Sequence, residues 1–215
     1  VTWRPNGTDA AAPSSAGARA PWSGFEAALW SRPLAPYFHG GDITSWLPCD
    51  GGLLLAIADA TGHGDTAHQV AERLPGLLAR FATSDVGAVL RQLNVTLQGT
   101  IGAAIGVLFL EPDAREFRYA GVGNTGIARL VGAAWRGVSR DGVVGVRMPS
   151  VFEQRGPLSQ GDRFVLWTDG VAGHAIRPSA FATGIASAEE VARDIVTQQG
   201  RAHDDALAVV VGWPR

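Results

Sequence analysis

The sequence is short of cysteine, of net charge and of long apolar runs, and each shortage excludes something. Cys49 is the single cysteine in 215 residues. One thiol makes neither an internal disulfide nor a structural zinc site, so a reducing compartment, the cytoplasm, is the expected location. The formal net charge is -2, which leaves no broad basic field to hold a nucleic-acid backbone or an anionic membrane. The longest apolar stretches, 53–60 and 101–110, fall short of the roughly 20 residues that cross a bilayer. Val1 is not a methionine and opens no charged-then-apolar leader, so a piece of a longer chain is expected.

What is there is 46% hydrophobic residues, enough for one globular domain with its own core but not for two. Residues 1–21 are rich in Ala, Pro, Ser and Gly without apolar periodicity. They are expected to be a flexible leader or linker, with 22–213 the single domain.

Short apolar runs predict strands at 25–30, 52–59, 101–110, 116–120, 127–131, 151–155, 163–167 and 206–211, punctuated by Gly, Pro, Asp and Asn. Helical spacing of Ala67, Val70, Ala71, Leu74, Leu77, Leu78 and Phe81 predicts a helix from Asp65 that Pro75 kinks or splits. Asp85 caps a second helix through Leu97. A third runs from Ser187, with Glu189 and Glu190 in its first turn, to about Gln199, and Gly200 closes it. Strands that bracket a helix pair and a later helix indicate an α+β fold, two packed antiparallel β-sheets flanked by helices. Gly123-Asn124, between two strands, reads as a β-hairpin turn.

Four acids stand at strand ends or turns: Asp42 after Gly40-Gly41, Asp59 before Ala60-Thr61-Gly62-His63-Gly64, Asp169 between Thr168 and Gly170, and Asp204 beside Asp205. One Asp-Gly is an ordinary turn. Several carboxylates delivered by apolar strands are another matter, because burying them together is costly without a cation. Hard oxygen donors suit Mg2+ or Mn2+ better than zinc.

The ordered motifs GGD, DATGHG, GDRFVLWTDGV and HDDALAVVV resemble those of the PPM (PP2C-type) metal-dependent serine/threonine phosphatases, in their bacterial SpoIIE, RsbU and RsbX branch. The resemblance covers about 22–211. It implies a PP2C-like αββα sandwich and a cleft holding two divalent cations, Mn2+ or Mg2+. In that pattern Asp59 bridges both cations, the Ala60 carbonyl joins one of them, Asp169 and Asp204 hold the other, and Asp42 binds the first directly or through water. Asp205 supports the ligands from behind. Such a site hydrolyses phosphoserine or phosphothreonine with a metal-activated water and needs no protein nucleophile. The implied substrates are phosphorylated regulatory proteins, STAS-domain anti-sigma-factor antagonists or their relatives. The resemblance also implies regulation through the helix pair by signals from attached domains, so an upstream sensor or regulatory domain is expected; Pro75, within the first helix, is the expected flex point.

His63 is the candidate acid for the leaving serine oxygen, because histidine titrates near neutral pH. It lies farther from Asp59 than in the DGHGG form of the motif, so the alternative, a residue of the glycine turn alone, stays open. His203 and His174 read as surface or supporting residues, and Arg32 as a solvated loop residue. Leu207 stands where the family usually has Thr, which removes a hydroxyl from the neighbourhood of Asp204 and Asp205. Two other functions remain open: a low-activity regulatory binding module of the same fold, and another two-metal hydrolase such as a nuclease.

Overall fold

The computed structural model describes residues 14–19, 24–34, 40–178 and 186–214. One antiparallel sheet holds β1 (Ser14–Arg19), β2 (Glu26–Arg32), β7 (Gly126–Val131), β9 (Arg163–Trp167) and β10 (Ala206–Gly212), in the order β1-β2-β10-β9-β7. The other holds β3 (Asp42–Cys49), β4 (Gly52–Ala60), β5 (Ala103–Glu111), β6 (Glu116–Val122) and β8 (Gln154–Pro157), in sequence order. Helices α1 (Asp65–Ala71), α2 (Leu74–Arg80) and α3 (Val86–Leu97) cover the second sheet, and α4 (Ala188–Gln199) covers the first.

The layering follows from the period-two alternation of strands. In β4, Leu53, Leu55 and Ile57 point between the sheets with Trp46, Phe117, Phe164, Leu166 and Val209. Leu54, Ala56 and Ala58 point the other way, onto Leu74, Leu90 and Leu93 of the helices. In β10, Leu207, Val209 and Val211 face the inter-sheet core, while Ala206, Ala208 and Val210 meet Val191 and Ile195 of α4. Both faces are covered, so these strands read as unbroken apolar runs rather than alternating ones. Each fully buried Leu or Val contributes about 1.5–3 kcal/mol.

The helices begin where their caps say. Asp85 accepts from the Ala88 N–H at 2.7 Å, and Ser187 with Glu190 forms a reciprocal capping box. Pro75 splits rather than kinks. It stands in the first turn of α2, where its missing N–H costs nothing.

Three expectations need correction. Part of the expected leader, Ser14–Arg19, is an edge strand in register with β2, Ser14 opposite Ser31. Backbone pairing needs no side-chain pattern, so this strand left no apolar signal. Residues 1–13 lie outside the described residues. Gly123-Asn124 is not a hairpin turn: β6 pairs with β5 and β8, whereas β7 pairs with β9, so this turn crosses from one sheet to the other. Finally, the strand expected at 151–155 is found at Gln154–Pro157.

Candidate functional site

The cleft lies at one end of the inter-sheet layer, where β4 and β9 finish and β3 and β10 begin. Asp42 and Asp59 are direct partners across the β3–β4 ladder, two like charges in a pairing that sheets otherwise avoid. The parity that sends Leu55 and Ile57 into the core also turns Asp59 toward the layer between the sheets. From the facing sheet Thr168, wholly buried, donates its hydroxyl to Asp42 Oδ2 at 2.6 Å. The Thr168 Oγ1 also accepts from the Leu207 N–H at 3.0 Å, so one threonine links the β9 and β10 ends of one sheet to the Asp42 carboxylate of the other.

The electrostatics are those of crowded acids. Burial first, then the charges of Asp169 and Asp204, push the Asp59 carboxyl from the ordinary 3.8 up to about 8, and Asp59 is hydrogen-bonded to Asp169. Burial and the neighbouring Asp59 raise Asp42 well above the usual carboxylate range, against the Thr168 hydroxyl, which lowers it. Asp204 is raised by burial and by Asp169. At neutral pH the cluster therefore retains protons that isolated aspartates would lose.

The glycines of the motifs have steric reasons. A Cβ on Gly40 would meet the Asp205 carboxylate at 2.7 Å, and one on Gly41 would sit 3.0 Å from the Ala60 carbonyl oxygen. A Cβ on Gly170 would fall 1.6 Å from the Asp205 backbone oxygen. Gly170→Ala must displace backbone, and is expected to cost about 3 kcal/mol or more, read as a lower urea midpoint with unchanged m-value.

The Asp205 Oδ1 accepts from the Leu34 N–H at 2.6 Å and its Oδ2 from the Gly41 N–H at 2.8 Å. It fastens the strand entry that carries Asp42 to the start of β10. Leu207, the departure from the family pattern, points into the inter-sheet core. His63 is exposed in the turn from β4 to α1, flanked by Gly62 (φ 88) and Gly64 (φ 76), whose left-handed backbone the turn requires. His203 and His174 are exposed. Arg32 donates to the Arg201 carbonyl at the far end of α4. One residue at the site escaped the sequence reading: Asn124, whose Nδ2 donates to Asp169 Oδ2 at 2.6 Å.

Among the described residues, no three His, Cys, Asp or Glu side chains converge as a closed ion cage. The fit to divalent cations lies instead in the donor chemistry. Asp42, Asp59, Asp169 and Asp204 are all-oxygen donors whose mutual repulsion a hard cation offsets, and the side-chain-free Gly41 is the residue packed beside the Ala60 carbonyl. No described helix is long and apolar enough to cross a membrane.

Known proteins agree with this architecture. The chain is 24% identical over 124 residues to the phosphoserine phosphatase RsbX of Bacillus subtilis (strain 168); the match spans 55% of the chain and 61% of the length of that curated relative. A solved chain of the bacterial stressosome, a modular system adapted to control secondary messenger signalling, superposes with a TM-score of 0.82 at 24% identity, covering 87% of this chain and 98% of its own. RsbX in complex with magnesium superposes with a TM-score of 0.76 at 18% identity, covering 87% and 94%. At these identities the superpositions speak for the fold. The profile of Stage II sporulation protein E matches residues 49–214, most of the sheets and every candidate site acid but Asp42, and the chain belongs to the SpoIIE family.

Proposed function

We propose that this chain is a metal-dependent phosphoprotein phosphatase that hydrolyses phosphoserine or phosphothreonine on a regulatory protein. The carrying observation is the meeting of Asp42, Asp59 and Asp169, from two sheets, in one cleft where Asp59 is pushed up to about 8. Asp42, Asp59, Asp169, Asp204 and the Ala60 carbonyl are the groups we assign to two divalent cations, Mg2+ or Mn2+. Those cations supply Lewis-acid charge and lower the pKa of water.

The chain's own contribution is position and protons. Thr168 fixes Asp42, Asp205 holds the strand entry behind it, and Asp59 releases its proton when the cleft is loaded. Hydrolysis breaks the bond from phosphorus to the serine oxygen, which would depart as an alkoxide, so a proton donor is needed at that oxygen. His63, exposed on the turn that leaves Asp59, is our assignment for it. The SpoIIE family membership and the phosphoserine phosphatase RsbX as a relative support this class of substrate. Within that class a STAS-domain anti-sigma-factor antagonist or relative is the substrate we favour, in the cytoplasm.

Aryl phosphate and a phosphoserine peptide, each with and without millimolar Mn2+, test the proposal. Mn2+-dependent release of phosphate from both is expected. A protein inactive on both at saturating Mn2+ is a binding module instead, and one that cuts DNA or RNA but spares the peptide is a nuclease.

A further inference from the structure

The β7–β9 ladder runs in regular register near the cleft, with Ile127 opposite Leu166 and Gly126 opposite Trp167. Two more places along that register set Asn124 opposite Asp169, and their side chains meet there at 2.6 Å. A carboxylate only accepts, so the amide must present its NH2. This pair is the counterpart of Asp42 opposite Asp59 on the other sheet. There two acids face each other; here a neutral donor faces an acid.

The backbone around Asn124 is held on both sides. Gly123 has φ 92, and a Cβ on it would lie 2.4 Å from that of Ala104, so the crossover is pressed onto β5. The Gly123 N–H donates to the Arg140 carbonyl at 2.8 Å, and the Arg140 N–H returns to Gly121 at 2.9 Å. On the other side the Ser139 hydroxyl donates to the Thr125 carbonyl at 2.8 Å. Ser139 is itself fixed by the hydroxyl of buried Tyr119, also at 2.8 Å. Two consecutive residues, Ser139 and Arg140, thus clamp the residues before and after Asn124.

We propose that Asn124 is a positioning residue of the cation site: its amide fixes the plane of the Asp169 carboxylate, and the Ser139–Arg140 clamp fixes the amide. The inference rests on the reading of Asp169 as a cation ligand. A partner that orients a ligand this way is worth about 10- to 100-fold in metal affinity. Asn124 adds the hydrogen bond without adding a further charge to an already crowded cluster.

The test is Mn2+ titration by calorimetry, with turnover of a phosphoserine peptide measured alongside on the same proteins. Asn124→Ala is expected to weaken Mn2+ binding about 10-fold or more, with kcat largely regained at saturating Mn2+ and the metal-free melting midpoint nearly unchanged. Ser139→Ala is expected to weaken binding in the same direction, and to add little in the Asn124→Ala background. Asn124→Ala with wild-type Mn2+ affinity overturns the proposal, as does a loss confined to the metal-free midpoint. If wild type binds Mn2+ more tightly than Asn124→Ala yet neither releases phosphate, the positioning role stands and the phosphatase reading fails. Wild type that binds no Mn2+ overturns both.

Discussion

Asp59→Asn is expected to lower Mn2+-dependent phosphate release by at least roughly 10³-fold, while raising the melting midpoint of the metal-free protein. The two effects have one cause. Asp59 sits in a largely buried place, hydrogen-bonded to Asp169 and repelled by Asp169 and Asp204. Its negative charge is unwelcome there until a cation arrives, and indispensable once it does. Asparagine has the same shape and keeps a hydrogen bond to Asp169, but it cannot carry the charge that bridges cations. A residue of purely structural value would move stability and activity downward together. Activity assays and thermal melts in chelator separate the two cases, and equal activity of Asp59→Asn and wild type would remove Asp59 from the site.

The metal-free protein is expected to lose stability as pH rises from about 4 to about 8. An acid whose folded pKa is raised from 3.8 to about 8 holds its proton in the folded state after the unfolded chain has released it. The folded state then binds more protons, so stability falls with pH. Its contribution is intact below the unfolded value near 3.8 and is lost as pH climbs through about 8. At about 1.4 kcal/mol per pH unit the loss from Asp59 is on the order of 6 kcal/mol at most, reduced because the cleft still touches water. Asp42 pulls in the same direction. The corresponding fall in melting midpoint is roughly 10 °C between pH 5 and pH 8. Saturating Mn2+ removes most of it by replacing the protons. A metal-free midpoint that is flat or rising over this window contradicts the crowded-acid picture.

Much of this was legible in the residues. Strands β4, β9 and β10 announced themselves because both of their faces are covered, which makes each an apolar run with an acid at or beside one end. Helices α3 and α4 were marked by Asp85 and Ser187, whose side chains make the caps they suggested. Strand β3 was missed. It holds Thr44, Ser45 and Pro48: the Thr44 hydroxyl donates to the Ala56 carbonyl, the edge position tolerates the proline, and the Ser45 hydroxyl is buried with no hydrogen-bond partner among the described residues. Its link to β4 is a two-residue turn, Asp50 (φ 46) and Gly51 (φ 78), a hairpin signal that was available.

Gly123-Asn124 was misread for a different reason. A turn between two strands looks the same locally whether the strands pair with each other or with others, and only the sheet assignment decides. The role of Asn124 depends on register with a residue 45 positions away, which no local pattern carries. The carboxylates were easier, because four ordered motifs identify them whatever the register.

The most direct test of the central claim, that these acids gather to hold divalent cations, is calorimetric titration of the chelator-treated protein with Mn2+ at pH 7 in two buffers of different ionisation enthalpy. Saturable binding with release of protons is predicted, because cations must displace the proton that Asp59 retains at that pH. Absence of saturable binding at millimolar Mn2+, or binding with no proton release, would contradict it.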